Sequence, residues 1–201
     1  LLDSIIVDRN NEQSVTFSNI VPMPESEKGN WYQWNIDNWG TKWDACETSI
    51  QHENLITFQT AWSTPYNFFL ALSEQHPNVK IKVRYSDEDF GYNVGEFTLL
   101  ETNTISETIP EGGSLEAYLL AIDIHYGDIE YWTKQHVEYI DAYDESTFGT
   151  KLVDIIYLNN IIPTSDDEDV KIPNHLFETL IKRAISDEKF EYADKLQKVL
   201  N

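Results

Sequence analysis

Over the first hundred residues, apolar positions alternate with polar ones, which is the spacing of half-buried strands. Residues 79–85 give the clearest run. Val79, Ile81, Val83 and Tyr85 fall on one face, and Lys80, Lys82 and Arg84 on the other. Residues 55–62 alternate in the same way, with Leu55, Thr57, Gln59 and Ala61 opposite Ile56, Phe58, Thr60 and Trp62. Asn54 separates that run from a strand expected over residues 43–50. At the N-terminus, residues 4–7 and 14–17 are β-rich, and Asn10-Asn11 between them has turn chemistry, so a hairpin is expected. Val21-Pro22-Met23-Pro24 must leave any central strand, because proline brings no N–H to a ladder. Ser63-Thr64-Pro65 reads as a helix start, a capping pair followed by proline in the first turn, and a short buried helix is expected over residues 66–75. His76-Pro77-Asn78 ends it. Residues 87–91 read as a turn. Residues 93–100 read as the last strand of this part, with Gly95 as a bulge or close approach.

A polar connector over residues 103–113 leads to a change of period. Ser114 is placed to cap a helix over residues 115–124, and helices are expected over 129–143 and 147–158. Asp166-Asp167-Glu168-Asp169 reads as a solvated linker. It lacks the alternating ligands and the glycine of a calcium loop. Asn174 is expected to cap a helix carrying Leu176, Leu180, Ile181, Ala184 and Ile185. A second helix carries Phe190, Ala193, Leu196, Val199 and Leu200, with the joint at residues 186–188. The pattern is α+β: a mainly antiparallel sheet domain over residues 1–103, a mainly helical region over 104–170, and a helical hairpin over 171–201.

Charge narrows the partners. The chain carries 35 acidic and 14 basic side chains, a net charge of −21. Residues 104–170 are the most acidic stretch, with 15 acidic and 2 basic side chains. Such a balance argues against direct nucleic-acid binding and against anionic membrane surfaces, since both need clustered Lys and Arg. It leaves solubility, attraction to a basic partner, or imitation of nucleic acid by carboxylates. Cys46 is the single cysteine, so no internal disulfide is expected, and the composition fits a reducing, cytoplasmic setting. No apolar run approaches the ~20 residues that span a bilayer. No leader pattern is visible, and Leu1 in place of Met leaves a preceding segment open.

Residues 30–44 read NWYQWNIDNWGTKWD. The order Val21-Pro22-Met23-Pro24, Asn30-Trp31-Tyr32-Gln33-Trp34, Asn38-Trp39-Gly40-Thr41-Lys42-Trp43-Asp44-Ala45 and Phe58-Gln59-Thr60-Ala61-Trp62-Ser63-Thr64-Pro65 resembles the YubB-type family of plasmid and phage proteins. The likeness covers residues 20–97 and implies a ferredoxin-like domain from a mobile element. The family has no assigned activity, so no catalytic residue carries over. Its usual Asn-Trp-Cys-type opening is missing here. Residues 176–200 resemble the UVR motif of UvrB, UvrC and some Clp-associated proteins, a helical hairpin that pairs proteins. Glu188, Phe190, Glu191, Ala193 and Leu196 are the positions that this likeness would place in a partner interface. The plain alternative is a hairpin packed on its own domain.

The tryptophan block supplies the other candidate surface: Trp31, Trp34, Trp39, Lys42, Trp43 and Asp44, joined by Trp62. Clustered aromatics stack bases, sugars or partner side chains, and they also fill cores. Core packing is the expectation for most of them, with a turn at residues 38–41 around Gly40. The five histidines are scattered without ligand spacing, and no phosphate-binding glycine loop or nucleophile elbow is present. Cys46 in a strand has no evident base beside it and is expected to be buried or incidental. No catalytic residue, metal or cofactor is therefore expected. The functional expectation is an accessory protein that binds a host or mobile-element protein, a basic nucleic-acid-binding protein being the sharpest version, with a homodimer through the hairpin as a further partner. The rival is a small enzyme or binding module that holds a nucleotide or sugar against the tryptophans.

Overall fold

The computed structural model describes residues 1–9, 12–52, 54–136, 147–164, 172 and 174–201. The expected turn at Asn10-Asn11, the end of the helix expected over 129–143 and the acidic run 166–169 lie outside the described residues. Two compact units form. One joins residues 1–85 to 96–108, and the other joins 86–95 to 109–201.

The first unit is an open antiparallel sheet region with helices, as the α+β and ferredoxin-like expectation has it. Helix α1 (Leu2–Ile5) leads into β1 (Ile6–Arg9), which pairs antiparallel with β2 (Glu12–Val15), Ile6 opposite Val15. Two short 3₁₀ turns, Phe17–Asn19 and Glu25–Asn30, precede α2 (Trp31–Trp39). Strands β3 (Cys46–His52) and β4 (Leu55–Gln59) pair antiparallel with two register shifts. Val15 N–H donates to Thr48 Oγ1 at 3.0 Å, tying β2 to β3. Helix α3 (Tyr66–Gln75) is followed by β5 (Ile81–Tyr85), β6 (Gly95–Leu100) and β7 (Asn103–Thr108), a sheet in that order. Phe17, fully buried, lies at the heart of the core, with Phe68 at 4.4 Å, Trp39 at 5.7 Å and Phe58 at 5.8 Å between ring centres.

Alternation works as expected in β4 and β5. Ile56 and Phe58 turn to the core, and Val83 is buried between exposed Lys82 and Arg84. Several expectations need correction. Ser4 and Ile5 belong to a helical turn, because the Ser4 amide and hydroxyl both bond back to Leu1 O. The second N-terminal strand stops at Val15, because the Phe17 N–H donates to the Asp44 carboxylate rather than to a strand partner and the chain turns into the 3₁₀ turn Phe17–Asn19. The strand of residues 43–50 starts only at Cys46, and that of 55–62 stops at Gln59. Residues 103–108 of the expected connector form β7, antiparallel to β6. The two-residue loop between them, Glu101 (φ 51°) and Thr102 (φ 66°), has both φ angles positive, as a tight hairpin turn requires. The register break in this pair falls between Thr98 and Leu99, away from Gly95.

The second unit is helical: α4 (Leu115–His125), α5 (Ile129–His136), α6 (Thr147–Leu158), α7 (Asn174–Ser186) and α8 (Phe190–Leu200). Ser114 caps α4 as expected, its Oγ accepting from Ala117 N–H at 3.1 Å. Tyr118, Ile122, Trp132, Leu152, Ile155, Ile156, Leu176, Leu180 and Leu196 share one core. Helices α7 and α8 are adjacent, and Lys189 N–H closes the joint on Ala184 O at 2.8 Å. Tyr157 anchors α6 to that joint. Its hydroxyl donates to Asp187, its ring lies 4.0 Å beneath the Arg183 guanidinium and 4.3 Å from Lys189 Nζ, and Arg183 pairs with Asp154 at 2.7 Å. Among the described residues no helix is long and apolar enough to cross a membrane.

Candidate binding surface

The tryptophan block splits by burial. Residues 31–39 form α2, a helix the residue pattern did not reveal, and it turns one aromatic edge inward. Trp39 is buried, its indole N–H donating to Val21 O at 2.9 Å, and half-buried Trp34 packs on it edge to face at 5.5 Å. Gly40, at φ 86°, ends the helix, and its N–H reaches Asn35 O and Ile36 O. A Cβ here would also meet Tyr66 N at 3.2 Å.

The loop after Gly40 is laced to the loop before α3. Buried Thr41 uses one hydroxyl twice: it donates to Ala61 O at 2.9 Å and accepts from Ala61 N–H at 3.2 Å. Ser63 Oγ donates to Gly40 O at 2.6 Å, and Asn67 Nδ2 donates to Asp37 O at 2.9 Å. Asn35 Nδ2 donates to Lys42 O at 2.7 Å. Asp44 pins the far end, accepting from Thr16 Oγ1 at 2.6 Å, Phe17 N–H at 2.6 Å and Ala45 N–H at 3.0 Å. Thr41 and Asp44 thus set the loop from beneath.

These ties present three rings to solvent. Trp62 is 68% exposed and stands at φ 62°, with Ser63 N–H bonded to Ala61 O across it. This is a γ-turn of the strained hand, rare for a bulky side chain. Trp43 is 43% exposed, with its ring centre 6.2 Å from that of Trp62. Tyr32 is 46% exposed and touches Trp31, itself exposed, at 5.8 Å. Lys42 Nζ lies 4.5 Å from the Trp62 ring centre, 4.9 Å from Trp43 and 5.9 Å from Tyr32. No carboxylate among the described residues pairs with it.

The expected core role therefore holds for Trp39 and Trp34 and fails for Trp31, Trp43 and Trp62. The residue-based reading also missed the part that Tyr32 and Thr41 play. Tyr32 could be found from its place in the block. Thr41 carried no signal, because its partner Ala61 is twenty residues away. Cys46, expected to be buried or incidental, is exposed, with Sγ 3.6 Å from Gln59 O. Among the described residues no group of three or more His, Cys, Asp or Glu could hold a metal ion. On the hairpin, Ala193 and Leu196 are buried in the helical core, while Glu188, Phe190 and Glu191 are exposed.

Residues 38–121 are similar to the family described as the ferredoxin-like domain in Api92-like protein. The relationship is distant and covers less than half of the chain. The matched stretch includes Lys42, Trp43 and Trp62, and it leaves out Trp31, Tyr32 and the C-terminal hairpin. No curated protein and no solved structure matches the chain.

Proposed function

We propose that this chain is a non-enzymatic binding protein that engages a basic partner protein through the aromatic face around Trp43 and Trp62. The supporting observation is the exposure of these tryptophans on loops tied down from beneath by Thr41, Ser63 and Asp44. Exposed tryptophans on a fixed backbone lose little entropy on binding and are the residues most often dominant at interfaces. The net charge of −21 speeds the encounter with a basic partner. In its sharpest form the partner is a nucleic-acid-binding protein of the host, met by an accessory protein of phage or plasmid origin that sets carboxylates where phosphates would lie. The hairpin adds a further pairing edge through exposed Phe190, Glu188 and Glu191, including pairing with a second copy.

Affinity for a basic nucleic-acid-binding protein, titrated against salt, tests the reading. Binding that weakens from low to moderate salt, and that weakens again when Trp43 and Trp62 are removed, supports it. Salt-independent binding rejects mimicry by charge.

One observation favours a second reading. Lys42, with no carboxylate partner among the described residues, is placed to meet the anionic group of a nucleotide or acidic sugar stacked on Trp43 or Trp62. A thermal-shift series with nucleotides at saturating concentration decides this, and no stabilisation counts against it.

A further inference from the structure

We infer that Tyr32, Trp43 and Trp62 form an aromatic cage for a cation, that Lys42 is its built-in occupant, and that a cationic side chain of a basic partner displaces Lys42 when it binds. This deepens the proposed function and rests on it.

The geometry carries the assignment. An ammonium is held by ring faces when it lies within about 6 Å of their centroids, and Lys42 Nζ meets that condition for all three rings, at 4.5, 4.9 and 5.9 Å. The cage thus already accepts the group it is inferred to bind. The rings are also wet on their outer sides, so a partner can reach them. Trp62 holds a left-handed backbone that no bulky side chain prefers, kept in place by the Ser63 and Thr41 bonds. Strain maintained at an exposed aromatic points to a use for the ring in that position.

The cost of displacing Lys42 follows from its contacts. Lys42 has no carboxylate partner among the described residues, in a chain with 35 acidic side chains. Its ammonium lies among the three rings, and its carbonyl accepts from Asn35 Nδ2. Displacing it therefore forfeits an exposed cation–π contact, a penalty of about fivefold in affinity. Lys42 swings out on four rotatable bonds while the backbone stays fixed. An arriving guanidinium or methylated ammonium, more weakly hydrated than the lysine head, gains more from the rings than Lys42 loses.

The test uses the full chain with two probes, tetramethylammonium chloride at constant ionic strength and a short oligo-arginine peptide, followed through the tryptophan indole N–H resonances. Wild type, Lys42→Met, Lys80→Met and the Trp43→Ala/Trp62→Ala double variant are compared, each checked for an unchanged fold by circular dichroism. Lys80→Met removes the same charge from an exposed site elsewhere in the unit. The expected result is about fivefold tighter binding of both probes by Lys42→Met, no gain in Lys80→Met, and loss of the response in the double variant. Equal gains in the two lysine variants, or an unchanged response without the tryptophans, overturn the cage. Where the peptide still binds all variants alike and weakens with salt, the cage fails and the basic-partner reading survives. Where it binds none of them at low salt, both fail. Adenosine monophosphate is the opposite control: wild-type binding that Lys42→Met abolishes overturns the cage in favour of an anionic ligand.

Discussion

Thr41 and Ala61 are joined by a reciprocal pair of hydrogen bonds, one hydroxyl serving both the N–H and the C=O of a single residue. Both residues are buried, so neither backbone group has water to fall back on. Thr41→Val keeps the shape and removes both bonds. The expected loss is about 1–3 kcal/mol of stability, the penalty for stranding buried polar groups. Urea unfolding measures it, and the Trp62 indole resonance should broaden or move as its loop comes loose.

Trp62 gives the opposite pattern. Its positive φ costs a bulky residue on the order of 1–2 kcal/mol, which glycine does not pay. Its side chain is mostly in water and contributes little to the core. Trp62→Gly is expected to melt at the same temperature as wild type or above it, while partner binding falls. A drop in melting temperature of more than a few degrees places the ring in the fold rather than in recognition.

Asp44 separates support from contact. It holds Thr16 Oγ1, Phe17 N–H and Ala45 N–H, and Phe17 sits at the centre of the core. Asp44→Ala strands the Phe17 amide and is expected to cost about 2–3 kcal/mol, in the range of hydrogen bonds to a charged group. Probe affinity per folded molecule should stay the same. Weaker binding by a fully folded Asp44→Asn protein counts against this division of roles.

The helical unit should be sensitive to alkali. Burial raises the hydroxyl pKa of both Tyr157 and Tyr192, Tyr157 being raised further by its bond to Asp187 and Tyr192 by the neighbouring Tyr157. A group whose pKa is raised on folding stabilises the fold fully below its unfolded value, near pH 10 for tyrosine, and that contribution is lost as pH rises through the folded value. Melting temperature should therefore fall above about pH 10. Tyr157→Phe should flatten that fall. A pH-independent melt from 9 to 11 contradicts the assignment.

Sequence and structure agree where burial is one-sided. Residues 81–85 and 55–59 alternate because one face meets the core, and the helix over 66–75 starts just after Pro65 as expected, although Ser63 and Thr64 do not cap it: Pro65 holds the N-cap position without a side-chain cap bond, and the Ser63 hydroxyl goes to Gly40 O instead. Strand β7 escaped for the converse reason: all six of its residues are exposed, so no face is marked by hydrophobicity. Its turn is Glu101-Thr102, without the glycine or asparagine that signals a tight hairpin. Helix α2 was hidden because aromatics fall on both its buried and its exposed sides, leaving Gly40 as the single end signal. The exposure of Trp43 and Trp62 was illegible for a further reason. It depends on hydrogen bonds between loops twenty residues apart, and composition speaks for burial whenever tryptophans cluster.

The proposed binding face is tested most directly by titrating a basic nucleic-acid-binding protein with the full chain and with its Trp43→Ala/Trp62→Ala variant, at one fixed moderate salt concentration, by calorimetry. Saturable binding by the wild type, weakened at least about tenfold in the folded variant (the factor lost when 1.4 kcal/mol of contact is removed), is the predicted result. Equal affinity of the two proteins, or no binding by either, contradicts it.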